Sequence, residues 1–273
     1  MAHRTALIDA DVLAYRAAYT AQKEIDWDGD GDVTVDVNFD LACRAVDELV
    51  LAWTELVKCE NQILVQSDPA RGSFRHQIHP HYKAHRSKKP VALVAVEEYI
   101  RERYDARYWE GLEGDDAIGI MATRRPDDCV VVSTDKDMKT LPVRICLVPG
   151  SVNSTRLDKM KLTEEQADYN WMLQTIVGDP VDNFKGAPGI GKRGAEAAFD
   201  EAHYAGGDLW DAVVAAFHTS WLDKPRWHSI WVHPGHPADE ALMNARCARI
   251  LRDGDYKAGK VRLWEPDGPG EWI

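Results

Sequence analysis

The sequence predicts an α/β fold followed by a helical region, on three observations. Short apolar runs end in or lead directly to acids: Thr5 to Asp9 (TALID), Gln62 to Gln66 (QILVQ, with Asp68 just beyond) and Cys129 to Thr134 (CVVVST, then Asp135-Lys136-Asp137). Such runs read as buried strands, and acids at their C-terminal ends sit where open α/β sheets place their sites. Segments of helical periodicity lie between them. The stretch 175–195, TIVGDPVDNFKGAPGIGKRGA, then joins Asp179 and Asp182 to a glycine-rich turn between two helices.

Taken in order, the strand at Thr5–Asp9 leads into a helix from Val12 to about Gln22. Residues 26–37 (DWDGDGDVTVDV) imitate a calcium loop, but Val37 stands where a bidentate Glu is required, and the alternation of Val33, Val35 and Val37 predicts a hairpin strand instead. Phe39, Cys43, Val46, Val50, Trp53 and Val57 form one apolar stripe of a helix over 39–59. Pro90 opens a helix to about Tyr104 with Leu93, Val96 and Ile100 inward, and Gly111 to Asp116 opens another through Met121. Strands are expected over 129–134 and 144–148, and helices over 162–177, 193–202 and 239–252. The last of these carries Arg246, Arg249 and Arg252, either a phosphate-facing row or a solvated face. The Trp-rich stretch after Ala202 gives no clear pattern.

The 273 residues suffice for one large or two modest domains, and the formal net charge of -12 argues against a protein that coats DNA electrostatically. It does not exclude a nuclease, in which an acidic site and a local basic patch coexist. Five scattered cysteines without a CxxC pair read as reduced and cytoplasmic. No signal peptide and no apolar run of about twenty residues is seen, so no membrane span is expected. No obligate protein partner is evident.

Two charged patterns carry chemistry. The first is acidic: Asp9, Asp68, Glu113, Asp115, Asp116, Asp135, Asp137, Asp179 and Asp182 all stand at expected element ends. Asp68 reads equally as a turn residue before Pro69. Like charges about 4 Å apart repel by roughly 4 kcal/mol at an effective dielectric near 20, so a convergent cluster calls for cations. Oxygen-only ligands select Mg²⁺ or Mn²⁺, and two such ions suit phosphodiester hydrolysis. The second pattern is basic: segment 69–90 holds Arg71, Arg75, Lys83, Arg86, Lys88 and Lys89 with no acid, interleaved with Phe74, Tyr82 and four histidines. That composition suits a nucleic-acid contact, with Lys83 and Arg86 on one face and Tyr82 stacking on a terminal base. Gly189 and Gly191 would let backbone amides approach a phosphate, with Lys192 and Arg193 beside them.

Together these residues resemble the flap-endonuclease/5′→3′ exonuclease family, most closely its phage exonucleases. The matching positions are Ile8-Asp9, Asp68, Phe74-Arg75, Tyr82-Lys83 with Arg86, Glu113-Gly114-Asp115-Asp116, Ser133 to Asp137, Gly178 to Gly194, Ala245 to Leu251 (ARCARIL) and Leu263-Trp264. The resemblance spans nearly the whole chain in the family's order. It implies a PIN-like core over 1–177, with a mainly parallel sheet flanked by helices and an arch or clamp at 69–90. It further implies a helix-three-turn-helix and helical region over 178–273 that holds duplex DNA, with K⁺ often bound at that turn. The expected activity is a two-metal 5′→3′ exonuclease acting on double-stranded DNA with a free 5′ end or flap. Flap-endonuclease activity and removal of RNA from RNA–DNA hybrids are open extensions. Two alternatives stand beside it. Asp9-Ala10-Asp11-Val12 also resembles the start of haloacid-dehalogenase-type phosphatases, and a non-catalytic DNA-binding module would use only the basic residues.

Overall fold

The structure is a computed structural model that describes residues 4–26, 33–85, 88–149, 157–223 and 230–273. The chain divides into two compact units. The first comprises Met1–Gly72, Ser87–Met138 and Val143–Leu162, the second Ser73–Arg86, Lys139–Pro142 and Thr163–Ile273. The units thus part at 162/163 rather than 177/178, and segment 73–86 joins the second. The reason is packing: Ile78 and Tyr82 share an apolar cluster with Trp171, Phe184 and Phe217.

In chain order the first unit runs β1 (Thr5–Asp9), α1 (Ala10–Thr20), β2 (Gln22–Asp26), β3 (Val33–Val37), α2 (Phe39–Val57) and β4 (Asn61–Val65). After the short α3 (Arg75–Ile78) of the second unit it continues with α4 (Leu93–Tyr104), α5 (Gly114–Arg124), β5 (Cys129–Ser133), β6 (Arg144–Leu147) and β7 (Asp158–Lys161). The sheet order is β4-β1-β5-β6-β7. Only the β6–β7 pair in it is antiparallel. β1 lies between two parallel neighbours, which explains why Ala6, Leu7 and Ile8 are all fully buried. The α2 stripe is offset from the expected one: Ala42, Val46, Val50 and Trp53 are buried, whereas Phe39 is 40% exposed. β2 and β3 form the expected hairpin, with Asp26 opposite Val33; residues 27–32, which complete the calcium-loop imitation, lie outside the described residues.

The second unit contains α6 (Glu164–Val177), α7 (Lys192–Tyr204), α8 (Leu209–Asp223), α9 (Pro237–Ala248) and a ribbon of β8 (Tyr256–Lys257) with β9 (Lys260–Val261). A reciprocal capping box of Thr163 and Gln166 starts α6. The Trp-rich stretch supplies α8, which buries Ala212, Val213, Ala216 and Phe217. The arginine row is neither phosphate-facing nor solvated, because α9 stops at Ala248 and the row is used internally. Arg246 pairs with Glu265, Arg249 with Asp255 at 2.9 Å and Arg252 with Asp168 at 2.6 Å. Among the described residues no helix is long and apolar enough to cross a membrane.

Candidate active site

Asp9 ends β1, an inner strand of the sheet, and caps the helix that follows. Its Oδ1 accepts a hydrogen bond from the Val12 backbone N–H at 3.2 Å, and its Oδ2 accepts one from the Ser133 hydroxyl at 2.6 Å. Only 1% of Asp9 is exposed. Burial, then the charge of Asp11 and more weakly that of Asp135, push its carboxyl up to about 7, against the pull of the Ser133 and Val12 bonds. Asp11 and Asp135 therefore both act on Asp9, at the C-terminal ends of β1 and β5. Ser133 Oγ also accepts from the Asp135 N–H at 2.9 Å, and Asp135 Oδ1 accepts from the Asp137 N–H at 2.8 Å, which opens the 3-10 turn Lys136–Thr140.

Beyond β4, Asp68 is engaged as a loop fastener. Its two oxygens accept from the N–H groups of Ala70 and Gly111, each at 2.9 Å. The bond to Ala70 suits a turn residue. Glu113 holds the N-cap position of α5 without a capping bond, Asp115 and Asp116 occupy its first turn, and Asp116 is fully buried. Three acids at a helix N-terminus suit its positive end. Asp11, by contrast, was not foreseen as part of this site. Its carboxylate accepts from the Ser67 N–H at 3.0 Å and from the Ser67 hydroxyl at 2.5 Å, and burial pushes its carboxyl up against those bonds. The available signal was its position two residues past Asp9, in the first turn of a helix that begins at a strand end.

The second unit holds Asp179 and Asp182. Asp179 Oδ1 accepts from the N–H groups of Val181 (2.7 Å) and Asp182 (3.2 Å), and so shapes the loop after α6. Asp182 Oδ2 accepts from the Tyr82 hydroxyl at 2.9 Å and lies 3.5 Å from the Lys83 ammonium. Lys83 sits at φ 57°, a left-handed conformation that costs an L-residue roughly 1–2 kcal/mol. Its N–H bond to the Asp182 carbonyl at 2.9 Å helps hold it there.

Several expected nucleic-acid contacts are corrected by burial and pairing. Arg75 is 3% exposed and donates to the carbonyls of Cys247 (2.9 Å) and Arg249 (2.6 Å), capping the C-terminus of α9. Tyr82 is also 3% exposed, part of the apolar cluster rather than a stacking surface. Arg71, in the first unit, makes a two-pronged pair with Glu97 at 3.0 and 2.5 Å. Arg86 lies outside the described residues.

The loop between α6 and α7 divides its glycines by role. A Cβ at Gly178 would lie 2.4 Å from the Lys185 carbonyl carbon, and one at Gly186 2.4 Å from the Ile176 carbonyl oxygen. These two positive-φ residues let the loop close on itself. Gly191 has φ -88° and open space where a Cβ would stand, so neither its backbone nor its surroundings require glycine. Gly189, with φ 85°, is exposed, as are Gly191, Lys192 and Arg193.

Among the described residues, no three His, Cys, Asp or Glu side chains converge into a ready-made metal cage. The proposed donors of the first unit are all carboxylates, and burial first, then the charges of Asp11 and Asp135, raises Asp9 among them. That chemistry fits a hard cation that keeps several of its waters.

Comparison with known proteins agrees with this architecture. A family model described as the 5′-3′ exonuclease N-terminal, resolvase-like domain matches residues 4–168. The exodeoxyribonuclease of Enterobacteria phage T3 is 28% identical over 243 residues, covering 80% of this chain and 73% of the relative. The T5 5′-exonuclease with bound zinc aligns at a TM-score of 0.52 and 18% identity, over 90% of this chain and 93% of that one. The bacteriophage T5 flap endonuclease in complex with DNA and metal ions aligns at 0.50 and 17%, over 89% and 99%. These solved structures share the fold, and the phosphatase alternative gives way to the family match. The chain belongs to the 5′→3′ exonuclease family of nucleases.

Proposed function

We propose that the protein is a divalent-metal-dependent 5′→3′ exonuclease that hydrolyses duplex DNA from the 5′ end. The observation that carries this is Asp9: a buried carboxylate at the end of the inner strand β1, pushed up to about 7 by burial and by neighbouring acids. A group in that field is poised to exchange a proton for a metal ion. Asp9, Glu113, Asp115, Asp116, Asp135 and Asp137 are the proposed ligands of the first unit, with Asp68 holding their loop or binding through water. Asp179 and Asp182 are candidate ligands on the loop of the second unit. Two Mg²⁺ or Mn²⁺ ions, when bound, would polarise the phosphodiester and activate a water. Lys83, with Arg86, is proposed to stabilise charge on the reacting phosphate.

The helix–loop–helix of α6 and α7 is proposed as the duplex grip, with K⁺ as a further ion at its turn. Exposed Gly189, Gly191, Lys192 and Arg193 at the start of α7 support that reading, since a helix N-terminus with free amides favours phosphate. Flaps and RNA–DNA hybrids are proposed as additional substrates, in the cytoplasm of the cell in which the protein is made. The test uses duplexes labelled at one 5′ or one 3′ end, with Mg²⁺ or EDTA. The expected result is early release of 5′ label, progressive shortening of 3′-labelled strands, and no cleavage in EDTA. Release of the 3′ label first, or cleavage unaffected by EDTA, would overturn the proposal.

A further inference from the structure

We propose that Asp11 and Ser67 are positioning residues that set the metal-holding acids of the first unit in register with one another. The inference rests on the nuclease reading above and adds two residues to it. Asp11 lies in the first turn of α1, two residues beyond Asp9. Its oxygens receive the Ser67 N–H at 3.1 and 3.0 Å and the Ser67 hydroxyl at 2.5 Å. Ser67 follows the end of β4, and its Oγ accepts in turn from the N–H of Gly114 at 3.0 Å. Gly114 is the first residue of α5, flanked by Glu113 and Asp115.

The circuit therefore joins the two acid groups on either side of the sheet edge. Asp9 and Asp11 share one turn; Glu113, Asp115 and Asp116 share the other; Ser67 bridges them. Contact is close at every joint. A Cβ on Gly114 would stand 2.7 Å from Asp11 Oδ2 and 3.2 Å from the Ser67 nitrogen. The chemistry of the joint is specific to a carboxylate. Ser67 offers Asp11 two donors, and an ionised Asp accepts both, whereas an Asn would turn an NH₂ toward one of them. Ser67 in turn needs a hydroxyl, because it donates to Asp11 while accepting from Gly114. Groups that orient metal ligands in this way typically cost about 10–100-fold in metal affinity when removed.

The test reads Mn²⁺ binding directly, from the loss of the free-ion electron paramagnetic resonance signal, on the full chain and without substrate. Ser67→Ala should weaken Mn²⁺ binding by about 10–100-fold. Ser67→Thr, which keeps the hydroxyl, should restore most of that loss. Asp11→Asn should lose a similar amount, and the double variant should be no weaker than the worse single one, because both act through one joint. Thermal unfolding in EDTA identifies any variant that fails to fold; should Asp11→Asn be one, the Ser67→Ala and Ser67→Thr pair still decides. Ser67→Ala binding Mn²⁺ like the parent, while Asp9→Asn does not, would overturn the inference and leave the nuclease reading intact. Additive losses would also overturn it, by making Asp11 a direct ligand. A parent chain that binds no Mn²⁺ would sink both.

Discussion

Asp9 and Lys83 stand for two regions that handle charge in opposite ways. Asp9, at the end of β1, is buried beside Asp11 and Asp135, and burial first, then their like charge, pushes its carboxyl up to about 7. Lys83 lies 3.5 Å from the Asp182 carboxylate and 4.9 Å from the Tyr82 ring centre. The sheet edge concentrates repulsion that an arriving cation would relieve. The segment 73–85 instead disperses its charge onto partners distant in sequence, as Arg75 does on the carbonyls of Cys247 and Arg249. A run of cations without neighbouring acids is thus not by itself a DNA surface, because the fold can supply the counter-charges from elsewhere. A buried acid at a strand end with further acids beside it, as at Asp9, is the stronger mark of a site.

The greatest loss should come from the acidic edge. Asp9→Asn should lose at least about 10²-fold in cleavage rate in a single-turnover assay. It should also change stability with a definite sign. The carboxyl rises from 3.8 to about 7 on folding, so the folded chain holds a proton that the unfolded chain gives up between those values. That stabilisation is full below pH 4 and lost as pH rises through 7. Removing the ionisable group should therefore stabilise the metal-free protein at pH 8 relative to pH 4, by up to about 4 kcal/mol. Denaturant unfolding in EDTA at the two pH values reads this; an equal effect at both would mean that Asp9 is not strained.

On the basic side, Arg75→Ala should destabilise the fold by about 3 kcal/mol, since it strips buried carbonyls of a charged donor. The salt dependence of duplex binding should stay unchanged. A salt slope reduced by about one unit, with stability intact, would restore Arg75 to the DNA surface. Gly186→Ala should cost about 2 kcal/mol or more, because φ is positive and the Cβ meets backbone. Gly191→Ala should stay within about 0.5 kcal/mol in thermal unfolding, because its side of the loop is open.

Sequence reasoning reached the sheet and the acidic edge because both rest on local rules. TALID and CVVVS are apolar on both faces and become the central strands β1 and β5. Acids directly after such runs fall at the sheet edge without any tertiary information. What it missed depends on partners. β7 (DKMK) is a charged edge strand whose pairing comes only from β6. Arg75, Tyr82 and the Arg246–Arg252 row look exposed by residue type, and only the packing of α6, α9 and the chain end buries them. The repeated glycines pointed to Gly189 and Gly191, while the sterically required pair is Gly178 and Gly186, brought together across the loop. Asp11 enters the sequence reading only through the phosphatase resemblance, because its partner Ser67 is 56 residues away.

The proposed function divides labour between chemistry at the acidic sheet edge and duplex grip at the start of α7. Asp9→Asn and Lys192→Ala, compared side by side, test it most directly. Duplex binding would be measured in Ca²⁺ across a salt series, and single-turnover cleavage in Mg²⁺ at saturating enzyme. Asp9→Asn should lose the rate and keep the parent's salt slope. Lys192→Ala should keep the rate within about twofold and lose about one unit of slope. If both variants lose rate and slope together, or if Lys192→Ala leaves the slope unchanged, the division of labour is wrong.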